Sequence, residues 1–354
     1  MAKALVKFSI KDDFFDELRL EVKNYFTSNK IAITGDYRLH LKTAILLTLA
    51  IATYTHLVFY TPPLWPALIE CIFLGTLFVS IGFNVMHDAS HGSYSSKPWV
   101  NELMVLTAEM MGASSFLWIK KHDGIHHILT NTEHDDDLQA GKVMRMHPSQ
   151  KRLWIHRYQH IYAWFAYMLL YLNWIWINDF NKYIFRKIHT TEIKEVKRSD
   201  HIKFLSGKVF HGVFMIWIPW HRLGFTSWLI GYLSFAFALG LIMSVVFQLA
   251  HVVEKSTFPT SENGRIISPT WARIQILETC DFSTKNKVLT WLLGGLNFQV
   301  IHHLFRDISH VHYPAIQPIV KRKCEKYQIP YTELPILFAI KSHFRVIKTL
   351  GQEA

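Results

Sequence analysis

Cysteine is scarce in this 354-residue chain, with only Cys71, Cys280 and Cys324. Three distant thiols exclude a disulfide framework and a zinc ribbon, and they fit a reducing compartment. Charge is scarce too. Eighteen per cent of residues are charged against 50% hydrophobic, which is too apolar a balance for an ordinary soluble enzyme of this size. Acid is the scarcer sign: 27 Asp and Glu against 38 Lys and Arg leave a formal charge of +11. Positive-inside bias of a membrane protein is the first explanation and attraction to anionic headgroups the second. No compact basic module with a recognisable motif exists, so nucleic acid is not an expected partner. No GxGxxG or Walker loop occurs, which excludes nucleotide binding by those devices. Met1 to Asp36 carries no signal-peptide pattern and is read as the cytoplasmic side. Neither repeats nor low-complexity linkers break the chain, so 1–354 reads as a single domain.

What the chain does contain is long apolar runs. Phe14, Leu18, Val22 and Phe26 recur every four residues among charged ones, which predicts an amphipathic helix over 10–28 on the membrane or on the body of the protein. Runs follow at about 41–60 and 64–86, split by Thr61-Pro62-Pro63, and each is near the ~20 residues that span a bilayer. They form a hairpin that returns the chain to its starting side just before His87. Glu70, near the far end of the second run, is read as a solvated interfacial acid. Residues 101–119 are short and broken, hence an interfacial or core helix. Of the stretches 161–178, 209–221 and 227–250, an even number must cross if the later histidines are to meet the earlier ones. The basic loop from Asp179 to Lys208 stays cytoplasmic on charge grounds. Crossings at 209–222 and 227–250 are therefore preferred, with 161–178 interfacial or re-entrant; the alternative crosses at 161–178 instead. Trp65, Trp174, Trp176, Trp217, Trp220 and Trp228 read mostly as belt anchors. Past Glu254 the chain is soluble in character, with helices expected near 315–328 and 335–349. The fold class is thus an all-α integral membrane protein with about four transmembrane helices and a cytoplasmic helical cap. Residues 1–40 form a cytoplasmic amphipathic segment, 41–250 the membrane region and 251–354 a cytoplasmic C-terminal region.

Three histidine clusters stand at the ends of apolar segments: His87-x-x-x-His91, His122-x-x-x-His126-His127 and His302-His303. Neutral imidazole is the commonest metal ligand, and spacings of four and one on a helix bring ring nitrogens onto nearby faces. His251, at the end of the last span, is an eighth candidate. A single zinc takes about four ligands, so eight suit two metals. Residue type leaves iron, zinc, copper and nickel open. The Glu-x-x-His of soluble di-iron bundles is absent, but Asp88 and Asp123 form Asp-x-x-His with His91 and His126, where they are expected to orient imidazoles rather than ligate. His134, His310 and His312 are read as supporting or surface residues.

At these residues the chain resembles the membrane fatty acid desaturases. The three boxes occur in order, His126-His127-Ile128-Leu129-Thr130-Asn131 continues the second, and Gly294-Gly295-Leu296-Asn297-Phe298-Gln299-Val300-Ile301-His302-His303-Leu304-Phe305 surrounds the third. The resemblance spans roughly 35–345. It implies two non-haem irons, O2 as co-substrate and two external electrons, with two hydrogens taken from adjacent carbons of an acyl chain. Gln299 stands where many desaturases have His. That resembles the front-end branch, which desaturates between an existing double bond and the carboxyl end. Gln299 then either ligates through its carbonyl, holds a metal-bound water or packs. The fused cytochrome b5 motif His-Pro-Gly-Gly is missing, which implies a separate donor of ferredoxin or cytochrome b5 type and a bacterial inner membrane before an endoplasmic reticulum. The substrate is an acyl-CoA, acyl carrier protein or acyl-lipid, and Lys120 and Lys121 are either headgroup or CoA phosphate contacts or ordinary snorkelling lysines.

Two rivals share features with this reading. A histidine-box hydroxylase uses nearly the same site and adds oxygen instead of removing hydrogen. A metal transporter places ionisable residues within its spans, whereas here the histidines gather at span ends and in loops.

Overall fold

A computed structural model of the protein describes residues 6–8, 13–259, 266–268 and 270–353. The helix expected over 10–28 is α1, Asp13–Ser28, with residues 10–12 outside the described ones. Its four-residue stripe of Phe14, Leu18, Val22 and Phe26 is buried. At about 1.5–3 kcal/mol per large apolar side chain, that face supplies most of what holds the helix down. It packs beside the later helix Tyr313–Lys326, where Glu17 and Glu21 face Arg322, Lys323 and Lys326.

The hairpin follows as expected. The helices α2 (Tyr37–Tyr60) and α3 (Leu64–Ser90) are long and apolar enough to cross a membrane, as is α8 (Phe225–His251). Between α3 and α8 lie α4 (Pro98–Met110) and α5 (Ser115–Leu129), bent by 105° at their junction, then α6 (residues 159–185) and α7 (residues 198–223). Glu70 sits at the far end of α3, with its carboxylate 2.8 Å from His56 Nδ1 and partly open to solvent. α3 and α8 run side by side in the same direction. Gly75 is packed against the backbone at Phe235, and Phe83 meets Phe247, so His87 and His251 emerge at the same end.

The two middle candidates have different surroundings. α6 is held at both ends by segments on the histidine side: Gln159 donates to Arg145 O and Ile347 O at 2.9 and 2.6 Å, and Lys182 pairs with Asp136. It runs antiparallel along α8, with Ser244 Oγ donating to Tyr167 O, Tyr171 against Phe235 and Trp176 Nε1 donating to the Tyr232 hydroxyl. α7 instead begins beside Tyr183, which meets His201, passes Glu109 at Gly207 and ends with Arg222 over the Phe59 ring at the α2–α3 turn. Neither 161–178 nor 209–222 is among the described helices that are long and apolar enough to cross a membrane. The α4–α5 pair is together apolar and long enough for a broken span or a re-entrant loop, and Met111 at its bend meets Gly82. Its corner is Gly112 (φ +79°), where a Cβ would strike the His211 ring.

Trp65, Trp217 and Trp220 are exposed as belt residues should be. Trp174 differs: it turns inward, 5.6 Å from Trp118. Beyond α8 come α9 (Trp271–Leu277), α10 (Lys287–Leu292), α11 (Gln299–Leu304), α12 (Tyr313–Lys326) and α13 (Ile336–Gln352). They cap the histidine end of the bundle. Strand pairs are minimal among the described residues; Asp281–Phe282 runs parallel to Glu333–Leu334 and ties the third box to the tail.

Candidate metal centre

Three features of the backbone aim the histidines. A wide helical turn over Gly82–Met86 precedes His87, and a second spans His122–His126, where the His127 N–H reaches back five residues to His122 O. Such π-turns rotate side chains off the ordinary helical register, and they recur at functional sites. The third box is set by Gly294, whose φ of +58° and contact with the Phe83 backbone leave no room for a Cβ. That close approach brings α11 against the turn before His87. Asp281 Oδ1 then accepts from Val300 N–H in the first turn of α11 at 2.9 Å, an orphan donor that a carboxylate satisfies well.

The result is two adjoining clusters. His87, His91, His122 and His302 have ring nitrogens within 4.8 Å of one another, and so do His126, His251 and His303; His127 joins His302 and His303. Consecutive histidines on a helix face about a quarter-turn or more apart, so each pair divides, His302 to the first cluster and His303 to the second. His122 and His126 stay on one face, their rings stacked at 5.3 Å, and with Asp137 they bridge the two clusters. His87 Nε2 and His127 Nε2 each lie 3.2 Å from His122 Nε2. His91, His302 and His303 each bury an Nε2 with no hydrogen-bond partner. Buried polar atoms rarely go unpaired, and unpaired lone pairs converging on common points suit metal ions. Burial first, then neighbouring imidazoles, hold His302 and His303 well below the ordinary histidine value. They are therefore neutral, the form that binds metal. The residues present fit two metal ions.

The groups around the rings differ from the local pairs read in the sequence. Asp123 lies against His91, with Oδ1 2.9 Å from Nδ1, rather than against His126. Asp88 faces away from His91: its Oδ2 accepts from Ser309 Oγ at 2.7 Å and lies 2.9 Å from His310 Nδ1. His310 also reaches Lys42 Nζ, so it is a supporting residue as expected. His126 takes Asp135, which the sequence reading missed, at 3.0 Å. His303 Nδ1 meets Gln275 Oε1 at 2.6 Å, and His302 Nδ1 meets the Tyr313 hydroxyl at 3.2 Å. His251 Nδ1 faces Glu278 O. The Glu278 carboxyl is fully buried without a partner, and burial raises it well above the carboxylate range, so it is protonated. The clue in the sequence was Asn131, which takes a left-handed φ of 52° and binds Asp135 and the carbonyls of His251 and Glu278. Gln299 reaches the second cluster, its Nε2 2.9 Å from His251 Nε2 and its Oε1 unpartnered. Lys121 is committed to an ion pair with Asp137, while Lys120 is exposed. His134 lies near Glu133, and His312 binds Thr34 O.

An apolar cleft of about 20 Å³ touches the first cluster at His87 and is walled by Gly82, Met111, Trp118, Tyr171, Trp174 and Met243 among others. A larger cavity of about 280 Å³ opens farther along the same α3–α8 seam, near Cys71 and Tyr232.

Residues 63–335 match the fatty acid desaturase family. Over 351 residues the chain is 36% identical to an sn-1 linoleoyl-lipid 6-desaturase of Arthrospira platensis, covering 98% of this chain and 95% of that protein. It is 33% identical to an acyl-lipid (8-3)-desaturase of Physcomitrium patens, covering 96% and 72%, and 32% identical to an sn-1 linoleoyl-lipid 6-desaturase of Synechocystis, covering 98% of each. With three histidine boxes converging beside an apolar cleft at the end of a membrane-type bundle, the chain belongs to the fatty acid desaturase family and is a fatty acyl desaturase.

Proposed function

We propose that this enzyme is a front-end acyl-lipid desaturase with two non-haem irons held by His87, His91, His122, His126, His127, His251, His302 and His303. The carrying observation is that an apolar cleft reaches His87, whose cluster partners His91 and His302 keep buried Nε2 atoms without a partner. Relatives that act on linoleoyl-lipid support an unsaturated acyl chain on a lipid as the substrate. Gln299 beside His251 supports the front-end assignment. Its unpartnered side-chain oxygen would be available to an iron held at His251 or to a water there, and Asp88 and Asp123 position the surrounding groups. The single domain works with its cap in the cytoplasm, the side its basic loops favour, and a bacterial inner membrane is preferred to an endoplasmic reticulum.

The balanced reaction takes one –CH2–CH2– unit, O2, two electrons and two protons to –CH=CH– and two waters. The irons, when bound, supply the oxidising power that breaks unactivated C–H bonds. The protein's own residues do the positioning. Met111, Trp118 and Tyr171 confine the chain so that one pair of methylenes lies at His87, where a misplacement of about 1 Å can cost 100-fold in rate. The same walls exclude water. The electrons come from a separate ferredoxin or cytochrome b5-type protein.

The test is a fatty-acid profile by mass spectrometry of wild type and His126→Ala in a host supplied with linoleoyl lipid and a compatible donor. A product lighter by two hydrogens, absent from the variant, is expected, with fragmentation placing the new bond on the carboxyl side. A product heavier by one oxygen would make the enzyme a hydroxylase.

A further inference from the structure

From Leu138 to Asn178 the chain carries no Asp or Glu, yet it holds Lys142, Arg145, Lys151, Arg152 and Arg157. The C-terminal helix α13 is likewise free of acids and holds Lys341, Arg345 and Lys348. The fold packs these two stretches together. Gly351 sits against the His156 carbonyl with no room for a Cβ. Gln159 donates to Ile347 O at 2.6 Å, and the Trp164 ring stacks 4.5 Å from Phe344. Arg145 is buried behind this joint, where its guanidinium donates to the carbonyls of Gln150, Leu350, Glu353 and Pro148. These partners are carbonyls rather than a carboxylate, so its positive charge is left standing.

An open pocket of about 480 Å³ lies at the joint, between Arg152, Trp154 and Arg157 on one side and Gln352 on the other. Both arginines are exposed. Arg157 rests over the Tyr158 ring at 5.3 Å, and among the described residues neither arginine is in an ion pair. The acids that bound the two stretches in sequence are Asp137, Asp179, Glu333 and Glu353. The first three are committed to Lys121, Lys208 and Lys321, and Glu254, across the joint, lies 3.5 Å from Arg345. Glu353, exposed next to Gln352, is left to offset Arg152, Arg157, the exposed Lys151 and the buried Arg145, so the pocket is electropositive. Below it, Trp154, Tyr158, Ile161 and Phe165 recur every three or four residues, which puts them on one face. All four are exposed, Trp154 at 77%. Basic residues, then aromatic rings, then an apolar stripe is the order in which a segment passes from headgroups into acyl chains.

We propose that this pocket holds the phosphate of an anionic glycerophospholipid, with the lipid's acyl chains along the Trp154–Phe165 stripe. Arg152 and Arg157 offer planar forks of N–H donors that match a phosphate, and Gln352 offers an amide. The Trp154 ring stands between them and the apolar stripe, where the glycerol would lie. A free anion would gain the polar contacts alone. A zwitterionic lipid would bring its own ammonium toward the arginines. The site is separate from the cleft at His87, since none of its residues lines that cleft or belongs to the histidine clusters. It therefore goes beyond the proposed function and does not depend on it.

The test is native mass spectrometry of the full chain in detergent, titrated with dioleoylphosphatidylglycerol or dioleoylphosphatidylcholine. Wild type should bind one phosphatidylglycerol about 10–30-fold more tightly than phosphatidylcholine, the scale of two basic side chains at an anionic surface. Arg152→Gln/Arg157→Gln should remove that preference. Lys187→Gln/Lys194→Gln takes the same charge from exposed positions elsewhere and should keep it. Gln352 is exposed at the end of α13, so charge can be placed in the pocket without loss of an arginine. Gln352→Glu should weaken phosphatidylglycerol binding and Gln352→Lys should strengthen it. Equal affinity of wild type for the two lipids overturns the proposal. So does equal loss in the two double variants, which would make net charge the cause, or the same response to Glu and Lys at position 352. Displacement of the lipid by inorganic phosphate at equal concentration also overturns it, because the apolar stripe would then contribute nothing. If the arginine variant lowers the thermal midpoint, the two Gln352 variants decide. Binding is read without turnover, so the outcome is independent of whether the chain forms a double bond.

Discussion

Replacing Asp135 with Asn should weaken one metal site and spare the other. Asp135 is almost wholly buried and serves three donors. Its Oδ2 accepts from His126 Nδ1 and from Asn131 N, both at 3.0 Å, and its Oδ1 accepts from Asp137 N at 3.0 Å. Asparagine keeps one acceptor oxygen and turns an NH2 toward a donor, so at least one N–H loses its partner. A hydrogen bond to a charged group contributes about 1.5–3 kcal/mol, and the local loop loses an energy of that order. The metal is affected separately. The carboxylate fixes the His126 tautomer with its proton on Nδ1 and raises the basicity of Nε2. Loss of such an outer partner typically costs about 10–100-fold in metal affinity, or roughly 1.4–2.7 kcal/mol. The assay is anaerobic titration of chelator-stripped protein with Fe(II), read as stoichiometry and affinity. One of two binding phases should weaken, while the phase carried by His87, His91, His122 and His302 keeps its wild-type affinity. Two unchanged phases in a folded variant would refute the reasoning. Loss of both, with a lowered unfolding midpoint, would show that Asp135 serves the fold rather than the ligand.

Two further outcomes follow from the geometry. Gly112→Ala places a Cβ against the His211 ring on a backbone of φ +79°. It should cost about 2–4 kcal/mol from overpacking and left-handed strain combined, seen as a lower thermal midpoint in detergent; a midpoint within about 1 °C of wild type would contradict it. Asp281 is buried against Val300 N, Gln317 and Tyr331, and burial, outweighing those hydrogen bonds, pushes its carboxyl up to about 7. The folded protein thus holds a proton that the unfolded chain has released. Between about pH 4 and 7 stability should fall as pH rises, by at most about 1.4 kcal/mol per unit, and level off above. Asp281→Asn should flatten that slope in denaturant melts between pH 5 and 8, and an identical slope in the variant would remove Asp281 as its source.

Much of the fold was legible because membrane spans and amphipathic stripes are written in composition. The α2–α3 hairpin, the buried face of α1 and the final span follow from apolar length and period. The choice between 161–178 and 209–222 rested on loop charge alone, and what surrounds each stretch is set by contacts such as Gln159 with Ile347 and Arg222 with Phe59. Those are long-range pairings with no local signal. Trp174 read as a belt anchor because hydropathy does not distinguish a lipid-facing ring from one lining a cleft.

The site divides along the same line, for a reason that lies in imidazole itself. Which residues gather is a matter of type, and eight histidines at span ends announce themselves. Which carboxylate supports which ring is a matter of direction. A ring that gives one nitrogen to a metal has its other nitrogen on the opposite edge, pointing away from the cluster. Its partner must therefore stand behind it, where another segment of chain passes. An Asp three residues earlier on the same helix shares the ring's face and tends to fall on the metal side or beside it. Hence Asp123 serves His91 from the other box, Asp135 serves His126 from the following loop, and Asp88 turns to His310. The crossed pairing ties the first box to the second and the α3 end to the C-terminal cap. Removing one carboxylate then disturbs a ligand on a different segment, and this is why the single-site weakening expected of Asp135→Asn separates direct support of a ring from general damage to the fold.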